Sequence, residues 1–321
     1  MQRPPILSGP PTVSVVIPAY NHERFVGEAI ASAQAQTLTD LEIVVVDDGS
    51  RDATATIAES IAARDARVRV IRQPNGGSHA AINRGIAESR APWIAILNSD
   101  DRYHPERLHT MVAACGDGFD FAVGDARLID ARGDAISDPD HWWLRANRET
   151  REYAREHGPI HGLLHGNYTI STSNFVFRRT LADAIGRFRP LRHIVDWEFA
   201  IRAALHDPAR FLYLQDQALF DYRIHGGNAI LSNLLRGALE IEHMHRALLP
   251  QLGVPPGLVQ ALFRTQRDIR RHARDRAVQP IARIAQEREA DRLQLAAELD
   301  AVRTSLVWRV LRRLGFLRLK G

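Results

Sequence analysis

Val13-Ser14-Val15-Val16-Ile17-Pro18-Ala19-Tyr20-Asn21 sets a short β-branched run directly against a polar turn. The run carries no charge and is closed by a proline, so it reads as a strand buried on both faces. The same arrangement returns twice. Leu41–Val46 runs into Asp47-Asp48-Gly49-Ser50, and Trp93–Leu97 runs into Asn98-Ser99-Asp100-Asp101. Between these lie segments with helical spacing, over 24–36, 52–64 and 77–89, and one more strand at Val68–Arg72. The resulting β-α-β-α-β-α-β order predicts an α/β protein, with a mainly parallel sheet and helices on both faces. In such sheets ligands bind beyond the carboxyl ends of the strands, which is where the three polar turns fall.

Farther along, the pattern predicts a helix over 105–114, a strand over 119–123, a strand over 174–177, a helix over 196–205 and strands over 210–214 and 218–224. Residues 131–170, rich in Gly, Asp, His and Trp, read as a long, partly helical insertion, the kind of segment that carries function on an α/β scaffold. From Ile230 onward the reading is helical, with breaks near Pro250–Pro256 and at Pro280.

The 321 residues allow about two domains, or one large domain with an extension. A content of 45% hydrophobic and 25% charged residues is that of a globular chain, not a disordered one. The net charge of +4 is unevenly placed. No acidic residue follows Asp300, whereas Arg303, Arg309, Arg312, Arg313, Arg318 and Lys320 do, so residues 1–302 carry the balance of −2. The positive charge belongs to the end of the chain, and a nucleic-acid-binding body is not expected. Cys115 is the only cysteine, which excludes an intrachain disulfide and a cysteine-based zinc cluster. Met1–Pro11 is polar and proline-rich, unlike a secretory leader, and no run approaches the ~18–20 apolar residues that span a bilayer. A cytoplasmic enzyme is the expectation.

Taken singly, each polar cluster has an ordinary structural reading. Asp100-Asp101 suits a hard divalent cation, or a solvated turn that caps the helix after Pro105. Asp47-Asp48-Gly49-Ser50 offers acceptors to a base or ribose, or Asp48 or Ser50 as the cap of the next helix. Asp196 is either a helix N-cap or a general base, and His225 is either a ligand group or a turn residue. Trp142-Trp143 could line a groove for sugar rings or fill the core of the insertion. His157, His161 and His165 recur every four residues, but Gly158, Pro159 and Gly162 argue against one regular helix, so a zinc site is not expected.

Taken in order, the clusters closely resemble family 2 glycosyltransferases of the GT-A fold. The resemblance runs from Val13–Asn21 through Val44–Ser50, Asn75-Gly76-Gly77, Asn83-Arg84-Gly85, Asn98–Asp101, Phe175–Arg179, Gly186-Arg187-Phe188, Asp196-Trp197-Glu198 and Tyr222-Arg223-Ile224-His225, covering about residues 12–228. It implies a GT-A, Rossmann-like catalytic domain over 12–228, preceded by a tail over 1–11, with 131–170 as an acceptor-side insertion and 229–321 as an α-helical extension. It implies that Pro18, Ala19, Tyr20, Asn21, Asp47, Asp48, Asn83 and Asp100 bind the nucleotide sugar, with Asp48 accepting from a uracil or thymine base. It implies that Asp101 is the direct ligand of a divalent cation, Mg²⁺ or Mn²⁺, that Asp100 reaches ribose or metal, and that His225 lies near the diphosphate and the metal. Asp196 matches the catalytic base. Two positions depart from the family pattern. Asn98 supplies an amide where the first aspartate of the metal motif is frequent, and Val195 stands where an acidic residue often precedes the base.

The implied reaction is inverting transfer, by a single displacement, of a sugar from a UDP- or dTDP-type donor to a hydroxyl of a glycan or lipid-linked acceptor in surface-polysaccharide or cell-envelope synthesis. A non-catalytic GT-A-like protein that binds a nucleotide sugar or glycan is the alternative, and the presence of both Asp101 and Asp196 argues against it. A nucleotidyltransferase is disfavoured because no Gly-rich basic loop follows the first strand. Beyond the catalytic pattern, Leu295, Leu299, Val302 and Leu306 form a short heptad-like seam, suited to packing on the catalytic domain or on a second copy in a homo-oligomer. Ser305–Lys320 interleaves Trp308 and leucines with arginines, as a helix lying on an anionic membrane surface does, which would hold the enzyme peripherally at the inner face of the plasma membrane.

Overall fold

A computed structural model describes residues 9–138, 141–226 and 234–252. The chain divides into two compact units, Met1–Met244 and His245–Gly321. In the first, strands β1 (Val13–Ala19), β2 (Leu41–Asp47), β3 (Val68–Arg72) and β4 (Trp93–Ile96) alternate with helices α1 (Val26–Gln34), α2 (Thr54–Ala62) and α3 (Ser78–Glu88). There follow β5 (Arg102–Tyr103), α4 (Arg107–Cys115), β6 (Phe121–Ile129), α5 (Trp142–His157), α6 (Pro159–His165), a 3-10 turn (Thr172–Asn174), β7 (Val176–Arg178), α7 (Arg179–Ile185), α8 (Val195–His206) and β8 (Phe211–Arg223). Helix α9 (Leu234–Leu248) and a 3-10 turn (Leu249–Leu252) end the described chain.

The eight strands form one sheet in the order β3-β2-β1-β4-β7-β6-β8-β5. The first half is parallel, as the sequence leads one to expect. The second half is mixed: β7 runs antiparallel to β4 and β6, β8 is parallel to β6, and β5 is antiparallel to β8. Every residue of β1 and β2 is buried, because helices cover both faces of the sheet. Register fixes where the polar turns emerge. Ala19 pairs with Asp47, Val16 with Ile96, and Arg102 with Asp221, so the turns after β1, β2 and β4 meet the end of β8 along one edge.

Three strands differ from the expectation. Strand β6 continues to Ile129, and Asn174 lies in a 3-10 turn ahead of β7 instead of in the strand. The two strands expected over 210–224 are one, β8. Its polar Gln215-Asp216-Gln217 reads as a turn, but the strand passes through it by shifting register opposite Gly124–Ala126, with Asp216 at φ +60°. The insertion is partly helical, as expected: Gly158 at φ +87° ends α5 and Pro159 starts α6, so the three histidines are divided between two helices. Helix α5 is fastened to the sheet by Arg151, which pairs at 3.0 Å with the buried Asp125, itself accepting from the Tyr213 hydroxyl at 2.6 Å.

Gly85 shows how tightly α3 lies on β1. A Cβ there would stand 2.2 Å from Val16 Cγ1. Gly85→Ala is therefore expected to destabilise the protein by about 1–3 kcal/mol despite alanine's better helix propensity, because the interior cannot absorb the methyl group. Urea unfolding checks this; a stabilised variant would show that α3 can lift from the sheet.

The heptad seam and the basic helix fall beyond residue 252, outside the described residues, as do the side chains of Trp142 and Trp143. Among the described residues no helix is long and apolar enough to cross a membrane.

Candidate functional site

The loops that follow β1 and β2 are laced together. Asn21, in the left-handed region at φ +52°, donates its backbone N–H to Ser50 Oγ at 3.0 Å, and its side-chain oxygen accepts from Arg51 N at 2.8 Å. Asparagine tolerates that conformation better than most residues do. Ala19 is buried, whereas Tyr20 is 41% exposed, available to stack on a planar ligand.

Asp48 is a hub for the loop before α3. Its Oδ1 accepts from Gln73 Nε2 (2.7 Å) and Gly76 N (2.9 Å), and its Oδ2 accepts from Gly77 N (2.8 Å). Gly49 permits this closeness, since a Cβ there would lie 2.9 Å from Asn75 N at a φ of +74°. Asp47 is different. Its Oδ2 accepts from Ser50 N at 3.3 Å, while its buried Oδ1 has no partner among the described residues. A buried acceptor left open is costly unless something fills it. The open acceptor of the pair therefore belongs to Asp47, and Asp48 retains one lone pair on Oδ2. Asn83, on α3, faces elsewhere than expected. Its amide brackets the backbone of Phe188, donating to the carbonyl at 2.8 Å and accepting from the N–H at 2.9 Å. It fixes the loop between α7 and α8.

The loop after β4 carries the acidic pair, and its two carboxylates part company. Asp101 is 1% exposed; its Oδ2 accepts from Ser173 Oγ at 2.6 Å and its Oδ1 from Arg223 N at 2.9 Å. Burial, together with the neighbouring Asp100 charge, pushes its carboxyl well above the usual range. Asp100 instead meets His225, with Oδ2 and Nε2 3.0 Å apart. Burial alone would raise Asp100, but the hydrogen bond from His225 and the charges of His22 and His225 outweigh it and hold the group below its ordinary value. His22, Asp100 and His225 each place a ligand atom within 4.8 Å of the others, a geometry able to hold a metal ion. Asp101 is not one of that trio. Asp101 was the expected direct ligand, but it is turned into the protein by its two donors, and Asp100 is the carboxylate that stands in the metal-capable trio.

The trio is braced. Ser99 Oγ lies 2.8 Å from His22 Nδ1. The Phe25 ring packs on His225 with centroids 4.9 Å apart, and the guanidinium of the buried Arg223 sits over Phe25. Arg223 also donates to the Asp100 carbonyl at 2.7 Å and pairs with Glu28. Asn98, the departure in the metal motif, has its own task. It donates to Ser171 Oγ (2.9 Å) and accepts from Thr172 Oγ1 (2.8 Å), a mixed role that an ionised aspartate cannot fill.

Asp196 lies in the first turn of α8 and is half-buried. Asn167 Nδ2 donates to its Oδ2 at 2.8 Å. Burial pushes its carboxyl up to about 6, against the opposing pull of Asn167 and the backbone N–H groups of the helix start. The helix is set by Trp197, whose indole N–H donates to Leu163 O on α6 at 2.7 Å. Glu198, of the same motif, is buried against Arg202, which in turn caps the carbonyls of Ile185, Gly186 and Arg187. The Tyr222 phenol is raised first by burial and then by the charges of Asp101, Asp100 and Asp196 together, so the metal-capable trio and Asp196 flank one region of the protein.

His157 and His165 stack on the two faces of Tyr153, at centroid distances of 4.0 and 4.2 Å, and are not part of the metal-capable group. Sequence reasoning missed His22, Asn167, Thr169 and Ser173. His22 follows Asn21 directly, and a titratable ring in that turn was a readable signal. Nothing in the spacing marks the other three.

A family model described as glycosyl transferase family 2 matches residues 14–186. The putative glycosyltransferase EpsH of Bacillus subtilis (strain 168) is 33% identical over 221 residues, covering 67% of this chain and 61% of EpsH. The succinoglycan biosynthesis protein ExoO of Rhizobium meliloti (strain 1021) is 39% identical over 136 residues, covering 42% of this chain and 38% of ExoO. The matched segments thus span less than two thirds of these relatives. Among solved structures, S. aureus TarS 1-349 in complex with UDP-GlcNAc aligns with a TM-score of 0.59 at 22% identity, over 76% of this chain and 67% of that one. The mannosyltransferase PcManGT from Pyrobaculum calidifontis, in complex with GDP-Man and Mn²⁺, aligns with a TM-score of 0.55 at 18% identity, over 77% and 67%. These two share the fold.

Proposed function

The chain belongs to glycosyl transferase family 2, and from that premise we propose that it transfers a glycosyl group from a nucleoside diphosphate sugar to a hydroxyl of a glycan or lipid-linked acceptor, inverting the anomeric centre in a single displacement. The observation that carries the reading is the joint placement of Asp196 and the Asp100 group around Tyr222. The succinoglycan role of ExoO supports an acceptor in polysaccharide assembly.

In this reading Asp196 takes the proton of the acceptor hydroxyl as the oxygen attacks. A carboxylate lifted to about 6 is a better base than an ordinary one and is still ionised at neutral pH. On the other side, Tyr20 stacks on the base, and Asp47, with its open Oδ1, accepts an N–H from it beside Asp48. Uracil, thymine and guanine offer such an imide-type N–H and cytosine does not. His22, Asp100 and His225 would hold a divalent cation, whose chemistry is to offset the charge collecting on the departing diphosphate. Two imidazoles and a carboxylate suit Mn²⁺ better than Mg²⁺, which prefers oxygen ligands alone.

A thermal-shift screen of UDP-glucose, UDP-N-acetylglucosamine, dTDP-glucose and GDP-mannose, each with Mn²⁺, Mg²⁺ or chelator, tests this. One nucleotide class is expected to raise the melting temperature by roughly 5–10 °C at saturation, with Mn²⁺ more than with Mg²⁺. No shift with any nucleotide under any cation would sink the proposal.

A further inference from the structure

We infer that Asn167, steered by Thr169, is the positioning residue of Asp196: its amide aims the carboxylate at the acceptor and donates to the ionised form. This rests on Asp196 being the base.

The contact chain permits one assignment of donors. An ionised carboxylate only accepts, so the amide NH₂ of Asn167 must face Asp196 Oδ2, as it does at 2.8 Å. The amide oxygen is then turned the other way and needs a donor. Thr169 Oγ1 supplies it at 2.6 Å. Thr169 is fully buried, and its own carbonyl is held by Asn174 Nδ2 at 3.0 Å. Asn174 in turn is locked to β6 by two bonds to Gly124, one donated to the carbonyl at 2.7 Å and one accepted from the N–H at 2.9 Å. A rigid line of amides and one hydroxyl therefore runs from the sheet to the base. It counters the cost that burial imposes on the charged carboxylate.

The other ionisable groups near the base have different attachments. On α8, Glu198 is paired with Arg202 and Arg189. On α6, His161 Nδ1 is bonded to the His157 carbonyl and His165 is stacked on Tyr153. On α7, Arg179 caps the Ser89 carbonyl and Asp183 pairs with Arg187, and beyond α8, Arg210 pairs with Asp120. His193 lies just before α8, and Tyr222, from β8, stays protonated across the working range because its phenol is raised. With so many ionisable groups around α8, the readout is the signal of Asp196 itself.

The test is a ¹³C NMR titration of the full chain labelled at aspartate Cγ, with the Asp196 resonance assigned by its loss in Asp196→Asn. The wild type should titrate near 6. In Asn167→Ala the midpoint should rise by about one pH unit, a tenfold gain in proton affinity. Thr169→Val, which keeps the shape and removes the hydroxyl, should move it the same way by less, and serves if Asn167→Ala folds poorly. Asn167→Gln should recover part of the wild-type midpoint if the amide itself is responsible. A midpoint unchanged in both Asn167→Ala and Thr169→Val overturns the inference and leaves the base reading standing. Undiminished glycosyl transfer by Asp196→Asn overturns the base reading instead.

Discussion

Asp196→Asn is expected to reduce glycosyl transfer by roughly 10²–10⁴-fold and, at the same time, to make the protein more stable at neutral pH. Both effects come from one property. The carboxyl is raised from an ordinary 3.8 to about 6 by burial, so the fold favours its protonated form. The stability that this preference contributes is present in full below about pH 4 and is lost as the pH rises through about 6. Above that, the fold carries an ionised carboxylate that would be better solvated in the unfolded chain. The penalty is on the order of 1–3 kcal/mol, and the neutral amide escapes it. Melting curves of wild type and Asp196→Asn should therefore separate at pH 8 and converge near pH 4.5. Donor-induced stabilisation should persist in the variant, since the groups proposed to hold the base and the cation, Tyr20, Asp47, His22, Asp100 and His225, are unchanged in it. Wild-type turnover should rise with pH through a midpoint near 6. A variant that is less stable at pH 8, or that keeps a tenth or more of the activity by an order-of-magnitude criterion, would refute the assignment.

The second large effect separates two adjacent carboxylates. Asp100→Asn removes the anionic member of the metal-capable trio and should weaken Mn²⁺ binding by ~100-fold or more, with donor affinity falling in step. Asp101→Asn should change Mn²⁺ affinity by no more than a few-fold, on the order of the effect of a group that supports a ligand without being one. The reason is geometric. Asp101 is turned inward, accepting from Ser173 Oγ and Arg223 N, and an asparagine can keep the second bond while the Ser173 hydroxyl rotates to meet its amide. Calorimetric or EPR titration with Mn²⁺ measures both variants directly. Equal losses in the two would restore Asp101 as a ligand and remove the distinction drawn from the side-chain directions.

The two carboxylates also show how far sequence reaches. Asp100 and Asp101 lie in the turn between β4 and β5, and which of them is turned inward depends on what lies below. Here that is the 3-10 turn and the end of β8, seventy and more than a hundred residues away in the chain. The Val-Ile runs and the turns that end them were readable, because a buried parallel strand leaves a dense local signature. The motifs single out Asp196 and His225 as candidates, whereas His22, which the structure sets beside His225 and Asp100, carries no such mark. Asn83 was assigned to the nucleotide, yet its amide holds the Phe188 backbone, a contact across more than a hundred residues that no spacing rule contains. Asn167 and Thr169 sit in an irregular stretch without period or motif, where function follows from side-chain direction alone. Strand β8 escaped in another way: polar residues at a register shift look like a turn until the neighbouring strand is seen to accommodate them.

The three-residue turn Thr172–Asn174 gives the enzyme an economy of parts and a constraint. Ser173 holds the acidic loop after β4, while Asn174 anchors the line that ends at the base. If Asp196 is the base and the Asp100 group holds the cation, as proposed, donor side and acceptor side hinge on the same short piece of backbone. A substitution there would disturb both substrates at once, so changes in acceptor preference among related sequences should accumulate in the helices of the insertion and in the loop ahead of α8. Redesign of specificity has room in those segments and almost none in residues 167–174.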